Sequence, residues 1–243
     1  MENNKIEEKI VESLKEMSKY NCEINKEKRT RIILPNYREK TDCKEKKLRY
    51  SEQELKQIFL LFIEKDTNFY YTVETPSKFL YSFSYFDEPK IEKNKSQKEH
   101  FESARFDTSL YSSPKLESLL CHVEFKHKNP STVKEISKDL VKLTNELGSG
   151  GINYFVHYII RSSNWKSKSF PCIMDKYKKA ISIEDNNEKN LGKVIVYLMF
   201  YDDNNGDNTI LKFDLKTFLR KYKTEIKDKN YDENDFNWMV VSK

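Results

Sequence analysis

The fold is decided by residues 103–127, which read SARFDTSLYSSPKLESLLCHVEFKH. Two runs within this stretch, Ala104–Tyr111 and Leu119–His127, are rich in apolar, β-branched and aromatic residues. Between them lies Ser112-Ser113-Pro114, a sequence typical of turns. The stretch therefore predicts a β-hairpin.

The register of this hairpin determines which side chains meet. If Ser112 pairs with Leu119, Asp107 lies directly opposite Glu124, with the two Cβ atoms about 5 Å apart on one face. Successive side chains of a strand point to opposite faces. The second strand then has a polar face and an apolar face, formed by His122, Glu124 and Lys126 and by Val123 and Phe125.

Before the hairpin, the pattern predicts a helix and two strands. Ser51 and Glu54 form a capping box, and the apolar spacing continues to about Lys65. Aromatic strands follow at about 69–75 and 79–85, and we expect their aromatic side chains to lie in the core. The polar run 87–102 is interpreted as a long loop.

After the hairpin, helices and strands alternate. Thr132 and Glu135 form a second capping box, and the helix that follows stops at the glycine cluster 148–151. The remaining predicted elements are a strand at 152–160, a helix at 172–180, a hairpin of 193–201 with 209–215, a helix at 216–224 and a last strand at 236–241. This order predicts an α/β fold, a mixed sheet flanked by helices.

Residues 1–50 differ from the rest of the chain. They contain 14 Lys plus Arg against 10 Asp plus Glu, and an amphipathic helix is predicted at 5–20. We interpret 1–50 as a charged, largely helical amino-terminal extension, with a strand-like run only at 32–34. Residues 51–243 are the α/β domain.

Composition excludes several functions. The five glycines form neither a G-x-G-x-x-G turn nor a Walker loop, and the four histidines and four cysteines form no zinc pattern. The net charge of +5 permits a polyanionic partner without requiring one. Without a signal-like start or an apolar run near 18 residues, we expect a cytoplasmic protein that does not bind a membrane.

The motif acid-x-Lys is a candidate for hydrolytic chemistry, but it occurs eight times in this charge-rich chain. Only Glu124-Phe125-Lys126 and Asp214-Leu215-Lys216 lie in strand-like context. Around the turn at Asn205-Gly206, the nearest acid upstream of the turn, Asp203, would be roughly 20 Å from Asp214. Only Glu124 has a second carboxylate within reach, that of Asp107.

These residues, SARFDTSLY at 103–111 followed by HVEFKH at 122–127, resemble the PD-(D/E)XK nuclease superfamily over about residues 51–160. The resemblance implies a restriction-endonuclease-like core of a helix, a three-stranded meander, a helix and a strand. It implies Mg²⁺ or Mn²⁺ as cofactor, with Asp107, Glu124 and the backbone carbonyl of Phe125 as ligands. Lys126 would be the catalytic lysine. The residue before Asp107 is Phe106 where the superfamily signature has proline.

For the remaining site residues the sequence leaves alternative assignments. Such nucleases often have another glutamate ligand, for which Glu52 and Glu74 are the alternatives, whereas Glu52 also suits the dipole of its helix. The run 161–168 combines cations and an aromatic residue that suit phosphate contact and base stacking: Arg161, Trp165, Lys166 and Lys168. A solvated loop is the alternative interpretation.

Three functions are compatible with these residues. The first is a metal-dependent nuclease acting on DNA in preference to RNA, with a homodimer left open. The second is a protein on a nuclease-like fold that binds nucleic acid or protein without cutting. The third is a structural protein in which Glu124 and Lys126 form only an ion pair.

Overall fold

The structure is a computed structural model. It describes residues 2–20, 29–32, 36–37, 47–48, 51–83, 89–92, 102–128, 132–161, 169–202, 206–225, 236–237 and 239–242.

Five helices and ten strands are present in the described residues. The helices are α1 (Glu2–Lys19), α2 (Glu52–Asp66), α3 (Lys134–Asn145), α4 (Ser169–Ile181) and α5 (Leu215–Glu225). The strands are β1 (Asn36–Tyr37), β2 (Lys47–Leu48), β3 (Tyr70–Ser82), β4 (Lys90–Glu92), β5 (Glu102–Tyr111), β6 (Leu119–His127), β7 (Asn153–Arg161), β8 (Val194–Asp202), β9 (Asn208–Asp214) and β10 (Val240–Ser242). Short 3₁₀ turns precede β6 and β8, at Leu116–Ser118 and Glu188–Lys193.

Eight of the strands form one mixed sheet in the order β10-β9-β8-β7-β6-β5-β3-β4. The centre, β6-β7-β8, is parallel, and the remaining pairs are antiparallel. The parallel pairs are connected through α3 and α4, since parallel strands need a crossover. The α/β class and the mixed sheet are as predicted.

Helices cover both faces of the sheet. One core contains α1 and α2 against side chains of the central strands such as Val123, Phe125 and Val156. The second core contains α3, α4 and α5 against Phe155, Val196 and other residues of the opposite face. Because β6, β7 and β8 are covered on both sides, most of their side chains are buried, as is typical of parallel strands.

Helix α1 is an integral part of the first core. Its apolar stripe, Ile6, Ile10, Leu14 and Met17, is fully buried with the apolar face of α2. Two ion pairs fix it further, from Lys9 to Asp66 at 3.1 Å and from Glu7 to Lys212 of β9 at 2.5 Å. Of the strand-like run predicted at 32–34, only Ile32 lies within the described residues, and it is not in a strand.

The hairpin formed by β5 and β6 is confirmed. Thr108 pairs with Val123 and Ser109 with His122, which is the predicted offset. An irregularity near the turn pairs Tyr111, instead of Ser112, with Leu119. The polar and apolar faces of β6 are also as predicted, since Val123 and Phe125 lie in the first core.

The two predicted strands before the hairpin are wrong in detail. They form one strand, β3, which pairs with β5 along most of its length through a register shift between Pro76 and Leu80. Pro76 is tolerated because β4 pairs with β3 only from Leu80 onward, so Pro76 lies on an open edge among the described residues. For the same reason Tyr70 and Tyr71 are 50% and 37% exposed, and among the expected core aromatics that the structure describes, up to residue 83, only Tyr81 is fully buried.

The boundaries of other elements differ slightly from the predicted ones. Strand β4 lies inside the run 87–102 predicted as a loop, and α4 begins three residues earlier than expected. At the start of α3 only half of the predicted capping box forms, a hydrogen bond from the Thr132 N–H to Glu135. None of the helices in the described ranges has the length and apolar composition needed to cross a bilayer.

Candidate functional site

Asp107 lies where β5 and β6 separate. It is one residue beyond the last β5–β6 pair, Thr108 with Val123. Its carboxylate takes the place of a backbone partner: Oδ2 accepts a hydrogen bond of 2.8 Å from the N–H of Phe125. The predicted pairing of Asp107 directly opposite Glu124 on one face is not formed: Asp107 contacts Lys56 of α2, whereas Glu124 contacts Lys142 of α3, and these two helices cover opposite faces of the sheet.

Glu124 is buried and bound to a cation. Its side chain is 4% exposed and accepts a hydrogen bond from Lys142 of α3, which also donates 2.8 Å to the carbonyl of Arg105. Burial raises the pKa of Glu124 well above its usual range; Asp139 and Asp107 repel the carboxylate and add to this rise, and Lys142 opposes it. Asp107 is therefore near enough to Glu124 for the two carboxylates to repel each other.

Lys126 faces two other acids. Its Nζ is 3.4 Å from Glu52 of α2 and 3.8 Å from Asp139 of α3. Burial lowers the pKa of Lys126, but attraction to Asp139 and Glu52 is larger in sum, so the pKa is raised overall. Lys126 therefore stays charged at neutral pH.

The two alternative glutamates occupy different positions. Glu52 contacts Lys126, as described above. Glu74 contacts Lys56 of α2 at 2.9 Å, and the same Lys56 lies 3.6 Å from Asp107. Glu74 also has a φ of 52°, a left-handed backbone conformation that costs free energy for a residue with a Cβ. Both glutamates border the site, each through a lysine.

These contacts define the acid–lysine cluster, which consists of five carboxylates and three ammonium groups: Glu52, Glu74, Asp107, Glu124 and Asp139 with Lys56, Lys126 and Lys142. Its formal charge is −2 when all eight groups are ionised, which one divalent cation would neutralise. Hard cations such as Mg²⁺ bind oxygen ligands of this type. Yet no three His, Cys, Asp or Glu side chains within the described residues are arranged to hold a metal ion.

His122 shares the polar face of β6 but has structural partners. Its Nδ1 is 2.7 Å from the hydroxyl of Ser109, and its ring stacks on Phe106 at 3.7 Å. Burial lowers the pKa of His122 to about 3, and the charges of Lys78 and Lys142 act in the same direction. It is therefore neutral at physiological pH, as suits a buried hydrogen-bonding residue.

The predicted nucleic-acid loop lies mostly outside the described residues. Arg161 ends β7, with its guanidinium 5.1 Å from the centre of the Phe200 ring. Trp165, Lys166 and Lys168 belong to 162–168, which is outside the described ranges.

Sequence reasoning missed three members of the cluster: Lys56, Asp139 and Lys142. On α3, Asp139 is three residues after Ile136 and four before Leu143, both fully buried. It therefore falls on the apolar arc of its own helix, where a charged side chain needs a partner. This position on the apolar arc could have identified Asp139 as a buried, partnered acid from the sequence alone.

Comparisons with protein-family models, with curated proteins and with solved structures found no match to this chain.

Proposed function

We propose that the chain is a metal-dependent nuclease of the PD-(D/E)XK type, which hydrolyses phosphodiester bonds in DNA in preference to RNA. The observation that carries the proposal is the position of Asp107, held by the N–H of Phe125 at the point where β5 and β6 separate, near enough to Glu124 to repel its carboxylate. Lys126 follows on the same face of β6. The order of α2, β3, β5, β6, α3 and β7 is the order that the resemblance implies. The preference for DNA rests on the resemblance alone.

Backbone strain near the cluster supports a functional role. Only two non-glycine residues in the described ranges have positive φ, Glu74 at 52° and Lys128 at 73°. Glu74 lies in β3 next to the Asp107 region, and Lys128 follows β6 two residues after Lys126. Strained conformations of this kind collect at functional sites, where the surrounding structure holds them.

In the proposed site, Asp107, Glu124 and the carbonyl of Phe125 would hold Mg²⁺ or Mn²⁺. The metal would lower the pKa of a bound water and offset the charge of the phosphate. Lys126 stays protonated, so we assign it to electrostatic stabilisation of the phosphate rather than to removal of a proton. Glu52 and Asp139 keep this ammonium charged and oriented.

A second candidate is a protein that binds nucleic acid or a partner without cutting. It is favoured by one observation: Asp107 and Glu124 each already have a lysine nearby, Lys56 and Lys142. A metal would compete with these ammonium groups. The third interpretation, a simple ion pair of Glu124 with Lys126, does not describe the structure, because both residues pair with other groups.

The test combines cleavage with metal binding. Wild type, Asp107→Ala and Lys126→Ala are incubated with plasmid and short duplexes and Mg²⁺ or Mn²⁺, and Mn²⁺ affinity is measured separately. Lys126→Ala should lose roughly 10²-fold or more in cleavage rate but retain metal binding, because both ligands remain. Asp107→Ala should lose both cleavage and metal binding, because it removes one of the two carboxylate ligands.

Three results would contradict the proposal. Cleavage that persists in both variants would come from another site or another protein. Metal binding without cleavage of any nucleic acid would favour the binding protein. Mn²⁺ affinity unchanged in Asp107→Ala would remove this residue from the metal site.

A further inference from the structure

A groove lies beside the carboxyl-terminal half of α2. Segment 29–32 forms one of its walls, and the other wall consists of Leu61, Phe62, Glu64 and Lys65 of α2. Its volume is about 500 Å³, and small-molecule sites in proteins typically enclose roughly 300 to 1,000 Å³. We call this feature the α2 groove.

The α2 groove exposes apolar surface. Leu61 is 47% exposed, whereas the next two residues of the helix, Phe62 and Ile63, are buried. Ile32, from the opposite wall, is partly buried and packs against the first core. An apolar ligand in the groove would remove this surface from water, which is favourable in free energy.

Hydrogen bonds hold the wall formed by segment 29–32 in place. The buried carboxylate of Glu16 on α1 accepts the backbone N–H of Arg29 and, at 3.0 Å, that of Thr30. The guanidinium of Arg29 lies 4.5 Å from the centre of the Phe62 ring, so this side chain links the two walls. The α2 groove is therefore formed before any ligand binds, as is usual for ligand sites.

The charge of Arg29 is already compensated. Its guanidinium pairs with Glu12 of α1 at 3.0 Å and with Asp66 of α2 at 3.3 Å. Arg29 is thus a structural cation of the α2 groove, and an anionic ligand would have to compete with two carboxylates for it.

The other two cations of the lining are available. In the part of the chain that the structure describes, neither Arg31 nor Lys65 forms an ion pair, and Lys65 only helps to lower the pKa of the adjacent Asp66. The acid among the lining residues, Glu64, accepts a hydrogen bond of 2.7 Å from the hydroxyl of Tyr71. Two cations against one acid make the opening of the α2 groove complementary to a single negative charge.

We propose that the α2 groove binds a small anionic amphiphile, a free molecule with an apolar body and one acidic headgroup, such as a medium-chain fatty acid. The apolar body contacts Leu61 and Ile32, and the headgroup pairs with Arg31 and Lys65. A protein partner fits less well, because stable protein interfaces bury roughly 800 Å² on each side, and one short segment with the end of one helix offers less.

This inference does not depend on the proposed function. The α2 residues of the acid–lysine cluster, Glu52 and Lys56, lie in the first two turns of the helix, whereas the α2 groove begins at Leu61. Loss of ligand binding would therefore leave the nuclease proposal intact, and the absence of cleavage would leave the groove intact.

The test is calorimetric titration of the full chain with decanoate below its micelle concentration, and with decanol as the neutral analogue. Wild type should bind decanoate saturably at one site and more tightly than decanol, because only the acid pairs with the cations of the groove.

The first variant, Leu61→Glu, places a carboxylate on the apolar wall and should abolish decanoate binding. It should fold, because position 61 is exposed and glutamate is a good helix former. The matched control is Leu116→Glu, which makes the same change at a residue that is 73% exposed in the 3₁₀ turn before β6. This control should bind decanoate as wild type does.

The second variant, Arg31→Gln with Lys65→Gln, tests the headgroup contact at surface positions. It should weaken decanoate binding by up to roughly 5-fold for each lost ion pair and leave decanol binding unchanged. Lys179→Gln with Lys189→Gln removes the same charge from exposed positions outside the lining and should change neither affinity.

Four results would overturn the proposal. They are no saturable binding of decanoate by wild type, equal decanoate affinity in the two glutamate variants, and equal effects of the two double glutamine variants. The fourth is retention of wild type on vesicles of anionic lipid without binding of free decanoate, which would identify a membrane surface as the partner.

Discussion

Lys142 is the most buried lysine of the site, with a side chain 7% exposed between Glu124 and Asp139. Burial lowers the pKa of Lys142, but attraction to these two carboxylates outweighs burial and raises it overall. The ammonium therefore compensates two acids that have little access to water. Removing one partner of a buried pair leaves an uncompensated charge, which is the costly case for buried ions.

We therefore expect Lys142→Ala to lower the free energy of unfolding by about 3 to 5 kcal/mol. Urea denaturation at neutral pH measures this change. Lys138→Ala, one turn earlier on α3 and half-buried, should stay within about 0.5 kcal/mol of wild type. Equal losses in the two variants would mean that the buried charge of Lys142 contributes no more to stability than a half-buried lysine of the same helix.

The candidate site was predictable only in part from single residues. The positions of Glu124 and Lys126 on β6 followed from strand alternation, which is local, but the predicted register does not extend to Asp107, because the β5–β6 pairs end at Thr108 and Val123. The positions of Lys56 and Lys142 did not follow from the sequence, because a lysine in an amphipathic helix is normally in solvent and only tertiary packing shows otherwise. The partners of Glu52 and Glu74 were undecidable for the same reason.

At the scale of elements, the connection from α3 to β7 packs directly on β6. Ser149 and Gly150 donate backbone hydrogen bonds of 2.7 and 3.1 Å to the carbonyls of Leu119 and Leu120. A Cβ on Gly148 would lie 2.4 Å from the carbonyl oxygen of Leu120. The glycine is therefore required by close approach of two backbones.

Gly148→Ala should accordingly lower the free energy of unfolding by about 1 to 3 kcal/mol, because neither backbone can move without breaking these hydrogen bonds. Gly192→Ala provides the comparison, since its added Cβ would meet nothing closer than 3.8 Å. It should be close to neutral. Thermal or urea unfolding of both variants decides the matter, and a neutral Gly148→Ala would show that the turn can shift away from β6.

Elements with a clear apolar period were predicted well, and elements at the sheet edge were not. The buried faces of α2 and α3 followed from spacing, because packing against a sheet requires it. Strand β3 was divided wrongly at Pro76, since edge position, which makes this proline harmless, is a property of the whole sheet. The same edge leaves Tyr70 and Tyr71 exposed.

The whole molecule should be sensitive to acid. Three buried histidines have lowered pKa values, about 3 for His122 and His157 and about 4 for His127, and burial is the main cause in each case. Between these values and the unfolded pKa near 6.5, the unfolded chain binds protons that the folded one does not. Stability is thus complete above about pH 6.5 and is lost as the pH falls toward 3. Glu124 changes the stability in the opposite direction in this window, because its pKa is raised and the folded chain keeps a proton that the unfolded chain releases.

Replacing one histidine tests whether the buried histidines cause the acid sensitivity. His157 is fully buried and hydrogen-bonded to Tyr177 and to the Lys128 carbonyl, so His157→Gln should reduce the slope of unfolding free energy against pH by about 1 kcal/mol per pH unit between pH 6 and 4. Tyr177→Phe keeps the imidazole and should keep the slope. An unchanged slope in His157→Gln would assign the acid sensitivity to other groups.

The burial of α1 has a consequence for how the protein is made. This helix precedes in the chain every strand on which it packs, and its partner Lys212 is 205 residues away from Glu7. During synthesis the apolar stripe of α1 emerges long before β8 and β9, so it has no complete surface to occupy until β9 has left the ribosome. A chaperone that holds amphipathic helices would protect the nascent chain through that interval, and translation stalled before β8 would leave a product prone to aggregation.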